Sequence, residues 1–300
     1  MKTILITGAD GQLGRDCQRV LSADYQVAAV DIDQVDIADG RAVKKAFNQF
    51  KPDILINCAA FTRVDDCENQ FANAWEANSE GPANLARASA ASGARLVHIS
   101  TDYVFDGKKP APEAYTEIDA PNPLSVYGST KLAGEERVLE ACAEALVLRT
   151  AWLYGYGGKN FVRSILGRVL NEPQTRLTIV NDQYGSPTWS RRLALQIERL
   201  LKTRARGIYH ATAEGYCTWY DLAREMCEMM ALPCRIDPCT TADYPTPAAR
   251  PQNSILENKR LKSEALNEMA DWREDFRAFL SAHGEALSAE LRQTTGGGAS

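Results

Sequence analysis

Tyr127 and Lys131 stand four residues apart in a stretch, 126–143, whose composition predicts a helix. That spacing sets both side chains on one face, with Cβ atoms about 5–6 Å apart. A phenol with its ordinary pKa of about 10 is a poor acid–base group near neutrality. A neighbouring ammonium favours the phenolate and lowers that pKa, towards the range where a general acid works best. Such pairs also arise by chance on many helices, so their companions decide the matter. Ser100-Thr101 closes the apolar run 95–99, at the strand end where open α/β sheets bind ligands. A hydroxyl at Thr101 can hold a substrate carbonyl oxygen beside Tyr127; its other plausible role is to cap a turn.

A proton donor beside a carbonyl calls for a hydride source, and the start of the chain offers a place for one. Ile4-Leu5-Ile6 and Thr7 run into Gly8-Ala9-Asp10-Gly11-Gln12-Leu13-Gly14. An apolar run stopping at glycines reads as a buried strand entering a helix that starts near Gln12. The helix would aim its free N–H groups and positive dipole end at the turn, a ready site for a diphosphate. The spacing is G-x-x-G-x-x-G and not the dinucleotide fingerprint G-x-G-x-x-G, which leaves an ordinary tight turn as the alternative. Asp31 ends the next apolar run, 26–30, 17 residues after Gly14. An acid there typically binds an adenosine ribose and would favour NADH over NADPH; otherwise it is a solvated loop carboxylate. Asp36-Ile37 follows in a short loop that could pass the adenine edge.

The elements that must position these groups alternate. Helices are expected over 15–21 and 41–49, strands over 26–30, 53–57, 95–99 and 145–149. A long helix over 75–92 should be bent by Pro82, which removes one backbone bond. Residues 108–123, rich in proline and acid, read as an irregular loop. The alternation predicts an α/β fold with a doubly wound parallel sheet and right-handed crossovers. Beyond Trp152 the order is less regular, with helices over 161–170, 191–201, 219–230 and 272–283 and a returning strand over 207–210. The expected division is a dinucleotide-binding domain, 1–151, to which 172–216 returns, and a smaller discontinuous α/β substrate-binding lobe from 152–171 and 217–287. Residues 288–300 read as an unstructured tail.

Composition narrows the partners. Of 300 residues 45% are hydrophobic and 24% charged, as in ordinary globular chains. A net charge of −5 without a basic run argues against nucleic acid or an anionic membrane as the main partner. No stretch approaches the ~18 consecutive apolar residues of a membrane span, and 4–6 is too short for a signal-peptide core. The eight cysteines form no C-x-x-C pair, and the three histidines lie far apart, so neither a zinc site nor a disulfide scaffold is expected. The cytoplasm fits best.

Taken together, the glycine loop, Ser100-Thr101 and Tyr127-x-x-x-Lys131 resemble the extended short-chain dehydrogenase/reductases. Longer strings are similar to the dTDP-4-dehydrorhamnose reductase family: Ser100 to Gly107, Tyr127 to Glu135, Arg149 to Tyr154, Asn181 to Thr188 and Tyr244 to Leu256. The resemblance covers roughly residues 1–280. It implies a Rossmann-like fold, NADH or NADPH as cofactor, and reduction of the 4-keto group of dTDP-6-deoxy-L-lyxo-4-hexulose to dTDP-L-rhamnose. By the resemblance, Tyr127 protonates the C4 oxygen, Lys131 binds the nicotinamide ribose and Thr101 holds the carbonyl. Gly11, Gln12 and Leu13 meet the pyrophosphate, Asp31, Asp36 and Ile37 the adenosine, and Ala60, Phe61 and Thr62 run along the cofactor. Asp102 and Trp152 touch the sugar nucleotide, and Arg250 pairs with its diphosphate.

Three departures stand out. Ala249 replaces a second arginine common in the family, and Asp66 replaces a lysine. Some members join dimers through magnesium held by glutamates, whereas this chain offers Asp16 and Arg191-Arg192, so no magnesium link is expected and a homodimer is left open. Two other readings remain. A related sugar-nucleotide dehydratase would need an acidic pair after the threonine, but Asp102 is followed by Tyr103; an epimerase must release and re-present its keto intermediate, which no residue in the sequence decides. A regulatory dinucleotide-binding subunit, like the β subunit of methionine adenosyltransferase, would not need the intact Thr101, Tyr127 and Lys131.

Overall fold

A computed structural model describes residues 1–172, 174 and 176–293; the last part of the expected tail, 294–300, lies outside them. The chain opens with β1 (Thr3–Thr7), α1 (Gln12–Leu21), β2 (Gln26–Val30), α2 (Gly40–Phe50) and β3 (Ile54–Asn57). It continues through α3 (Val64–Asn69), α4 (Phe71–Trp75), a π-helical turn (Glu76–Glu80), α5 (Gly81–Ser92), β4 (Arg95–Thr101), α6 (Val126–Ala141) and β5 (Leu146–Thr150). β6 (Leu153–Tyr154), α7 (Phe161–Asn171), β7 (Arg176–Val180), β8 (Tyr184–Gly185), β9 (Thr188–Trp189), α8 (Ser190–Leu201) and β10 (Gly207–His210) follow. The last elements are β11 (Cys217–Thr218), α9 (Trp219–Met229), β12 (Arg235–Cys239), α10 (Lys259–Ser263) and α11 (Trp272–Gln293).

Six parallel strands form one sheet in the order β10-β5-β4-β3-β1-β2. Ile4, Leu5 and Ile6 of β1 are all buried, because a parallel strand covered on both faces reads as a continuous apolar run. Ile4 and Ile6 meet Leu13, Cys17, Leu193 and Ile197 of α1 and α8. Leu5, on the opposite face, meets Val43, Phe47, Leu85 and Val138 of α2, α5 and α6. This is the doubly wound α/β fold that the alternation predicts. The order reverses between β1 and β3, and the crevice at that switch point is where such sheets bind ligands.

A second core lies beside the sheet. Val162, Leu166, Leu222, Met226, Trp272, Phe276 and Phe279 pack there with Tyr154 and Trp189, joining α7, α9 and α11. Three expected boundaries need correcting. First, β7 lies in the stretch expected to return to the central sheet, yet it pairs in parallel with β12 of the lobe. Alternating burial along Arg176–Val180 suits a sheet with one face covered. Second, part of 217–287 leaves the lobe: Leu261, Leu266 and Met269 join the core under β1, and Leu256 bridges to Tyr115. Third, α11 continues to Gln293, with Leu287 buried in the lobe core, so 288–293 is helix and not tail.

Two local readings also change. The expected 75–92 helix is there, running without a break from Phe71 to Ser92, but it passes through a π-turn over Glu76–Glu80 just ahead of Pro82, so the local distortion is a widened turn. Cys227 and Cys234 form a disulfide seven residues apart, tying the end of α9 to the segment before β12, a pairing that sequence spacing did not suggest.

Candidate active site

A cavity of about 740 Å³ runs along the carboxyl ends of the strands, from Asp31 past the glycine loop and Tyr127 to Trp152. Its first wall is the glycine turn. Gly8 has φ +68°, and a Cβ on Gly14 would lie 2.2 Å from the Gly8 carbonyl oxygen and 2.8 Å from the Ala9 Cα. Only glycine allows that closeness, so the cradle keeps its backbone open toward the cavity. α1 begins at Gln12, as expected. Asp31 accepts a bond from the Asp10 N–H at 2.8 Å and another from the Ile32 N–H, which fixes its carboxylate at the cavity edge. Gly11, Leu13, Asp36, Ile37, Ala60, Phe61 and Thr62 line the same wall. The fit of this half to a dinucleotide rests on that backbone cradle and on the acid beyond it.

The π-turn supplies a group that the sequence did not single out. Asn78 is buried; its Oδ1 accepts from the Phe61 N–H at 2.8 Å, and its Nδ2 donates to the Phe61 carbonyl and to the Thr130 hydroxyl. It thus clamps the 60–62 segment against α6. No spacing rule flags it, because the extra residue of a π-turn is what turns it inward.

At the centre, Ser125 caps α6 by accepting from the Gly128 N–H at 3.1 Å, so the helix starts one residue before Tyr127. The Thr101 hydroxyl donates to Asp102 Oδ1 at 2.8 Å. Tyr127 is buried and packs edge-on against Tyr103, ring centroids 5.4 Å apart. Burial, with the Asp102 carboxylate adding to it, pushes its phenol well above the ordinary value, and the Thr101 hydroxyl opposes this only in part. The expectation that Lys131 lowers this pKa is not met in the protein alone: burial raises it, and the group that opposes the rise is the Thr101 hydroxyl, not the ammonium. The consequence is a phenol that stays protonated, as a proton donor must be. Lys131 is also buried and donates to the Ile99 carbonyl at 2.6 Å. Burial brings it down to about 8, with Glu135 pulling the other way. Burial likewise raises Asp102 to about 6, against the pull of the Ser254 and Thr101 hydroxyls.

The opposite wall is aromatic. Trp152 stacks on Trp219 with centroids 3.4 Å apart and planes 6° from parallel, and Phe161 leans on Trp219 at 4.6 Å. All three line the cavity. Trp152 adopts φ +48°, a costly conformation for a bulky residue that surrounding structure must enforce. Gly185 is part of that enforcement: a Cβ there would lie 2.3 Å from the Trp152 ring. The Trp219 indole N–H donates to Gln183 Oε1 at 3.2 Å. Trp219 and Phe161 escaped the sequence reading because each looks like a helix-start core residue. Lys159 also lines the cavity and is exposed.

Arg250 is not among the cavity-lining side chains. Its guanidinium bonds Asp65 Oδ2 at 2.7 Å and the Ala248 carbonyl at 3.1 Å, while Asp66 pairs with Arg63. The magnesium position of the family does not fit this chain. Asp16 accepts from the Ser190 hydroxyl and lies 3.4 Å from Arg19, and Arg192 is bound to Asp275, so guanidiniums stand where metal ligands would be needed. Among the described residues no three His, Cys, Asp or Glu side chains group as a metal site, and no helix is long and apolar enough to cross a membrane.

An open parallel sheet with a glycine cradle at its switch point, and Thr101, Tyr127 and Lys131 on the same edge, defines a dinucleotide-dependent oxidoreductase of the Rossmann-like short-chain dehydrogenase/reductase class. The family model described as RmlD substrate binding domain matches residues 1–284, and the chain belongs to that family. It is 42% identical over 277 residues to the dTDP-4-dehydrorhamnose reductase of Streptomyces griseus, covering 90% of each chain. It is 42% identical over 304 residues to a probable dTDP-4,6-dihydroxy-2-methyloxan-3-one 4-ketoreductase of Streptomyces antibioticus, covering 98% of this chain and 99% of that one. Among solved structures, dTDP-4-dehydrorhamnose reductase from Bacillus anthracis in complex with NADP superposes with a TM-score of 0.90 at 36% identity, covering 94% and 99% of the two chains.

Proposed function

We propose that this protein reduces the 4-keto group of dTDP-6-deoxy-L-lyxo-4-hexulose to give dTDP-L-rhamnose, with NADH or NADPH as reductant. The observation that carries the reading is a buried Tyr127 beside Thr101, in the cavity that the glycine cradle and the tryptophan wall also line. The dinucleotide supplies the hydride. Thr101 holds the C4 oxygen, and Tyr127 gives it a proton as negative charge develops there. Lys131 holds the nicotinamide ribose and, once water is excluded, steadies the phenolate left on Tyr127. Gly8, Gly11, Gln12, Leu13 and Gly14 hold the diphosphate at the helix start. Asp31, with Asp36 and Ile37, holds the adenosine and favours NADH, since a 2′-phosphate would meet a carboxylate. Ala60, Phe61 and Thr62 lie along the cofactor. Asp102 and Trp152 bind the sugar nucleotide, Trp219 backs Trp152, and Arg250 reaches the substrate diphosphate only by exchanging Asp65 for it. The cytoplasm, which holds reduced dinucleotides, is the proposed compartment.

Oxidation of NADH and NADPH is the test, with the dTDP-4-keto sugar compared against its UDP and GDP counterparts. Oxidation with the dTDP sugar, faster with NADH, is expected. Formation of a 4-keto sugar from dTDP-glucose without added reductant would overturn the reading in favour of a dehydratase.

A further inference from the structure

Behind the reacting groups lies a charged cluster that the scheme above leaves unused. Glu135 is one turn beyond Lys131 on α6, and its side chain is 2% exposed. Arg149 of β5 grips it from the other side, Nε to Oε1 at 3.0 Å and Nη2 to Oε2 at 2.7 Å. The Ser100 hydroxyl, next to Thr101, donates to Oε1. The Arg149 guanidinium also lies over the Phe105 ring at 5.1 Å. One buried carboxylate therefore binds one buried guanidinium and one hydroxyl, and lies a single helical turn from a second buried cation, Lys131, whose ammonium is bonded to the Ile99 carbonyl. A buried ion pair adds little to net stability compared with apolar packing, so its presence asks for another reason.

We propose that Glu135 is a positioning residue for the reaction: its charge keeps Lys131 ionised inside the protein, and its bond to Ser100 fixes the strand end that presents Thr101. This rests on the reductase reading of Lys131 and Tyr127. An ammonium without water needs an anion nearby. The titratable groups facing Lys131 are Tyr127 and Glu135 on its own helix, Cys58 just past β3 and His98 on β4. His98 is buried and held neutral, pushed well below its ordinary value by burial and by Lys131 itself. Glu135 is thus the anion in reach. Its neutralisation should let Lys131 lose its proton at lower pH, and Lys131 acts only when charged.

The test is the pH profile of kcat/KM and, without turnover, of the NADH Kd. Glu135→Gln is expected to move the alkaline limb of both down by roughly one pH unit or more, while activity at pH 6 falls far less. Glu135→Asp keeps the charge but reaches less far toward Ser100; it should lower kcat at every pH and leave the limb in place. Because Glu135→Gln strands Arg149 and could fail to fold, Glu135→Gln/Arg149→Gln provides the same comparison without an orphan charge, with a smaller shift in the same direction. Limbs that coincide with the parent protein's in both Gln variants overturn the proposal, as does an Asp variant whose limb moves as far as that of Gln. The parent protein's own NADH oxidation with the dTDP-4-keto sugar is measured in the same series. Its absence would count against the reductase reading, and an unmoved limb against Glu135 alone.

Discussion

The wall proposed to hold the dinucleotide draws Gly8, Asp31, Ala60 and Thr101 from strand ends of one sheet, whose register sets their spacing, and Tyr127 from α6. The facing wall draws Trp152, Phe161, Gly185 and Trp219 from segments far apart in sequence that contact one another in the fold. The first wall is rigid because backbone meets backbone. The second is set by ring against ring, with Trp152 held in a left-handed conformation by its neighbours. The difference teaches that cofactor binding and substrate binding should fail separately under mutation.

Gly14→Ala should have the largest effect. Its Cβ would push on the Gly8 and Ala9 backbone, and a shift of about 1 Å in the cradle is expected to raise the NADH Kd roughly 100-fold, read by quenching of protein fluorescence. Gly185→Ala should do the reverse. The Trp152 ring must move, so the sugar-nucleotide KM should rise about 10-fold, the value of one aromatic contact, with the NADH Kd unchanged. A common loss of both affinities in either variant would erase the distinction between the walls.

Asp102→Asn probes the boundary between them through stability. The folded pKa of Asp102 is raised to about 6, above the unfolded value near 3.9. The folded state therefore binds the proton more tightly, and the parent protein loses stability as pH rises from about 4 to 6, a loss that persists at higher pH. The Asn variant escapes this and should be more stable at pH 7 by roughly 1–3 kcal/mol, with the gap closing below pH 4, as checked by urea denaturation across pH. Asp31→Asn should give the smallest change, a fall on the order of 10-fold in the NADH over NADPH preference in kcat/KM.

How much of this was legible in sequence follows the same divide. The parallel sheet could be read from apolar runs ending at glycine or at Thr101, and the Tyr127–Lys131 face from a spacing of four, because both are local. Asn78 could not be read, since only the π-turn turns it inward. Trp219 looked like a helix-start core residue, and its role depends on Trp152, 67 positions earlier. Arg250 shows the opposite limit. Its motif is easy to see, yet Asp65 holds its guanidinium off the cavity wall. The lobe boundaries misled for a related reason, because the pairing of β7 with β12 joins segments whose own patterns give no hint of each other.

Tyr127→Phe tests the proposed chemistry most directly. The variant removes one hydroxyl from a buried ring and leaves the glycine cradle untouched. If Tyr127 donates the proton, kcat for NADH oxidation with the dTDP-4-keto sugar should fall about 10²–10⁴-fold, while the NADH Kd stays within about twofold of the parent protein, a change under ~0.5 kcal/mol. Near-normal turnover by Tyr127→Phe would contradict the proposal at its centre.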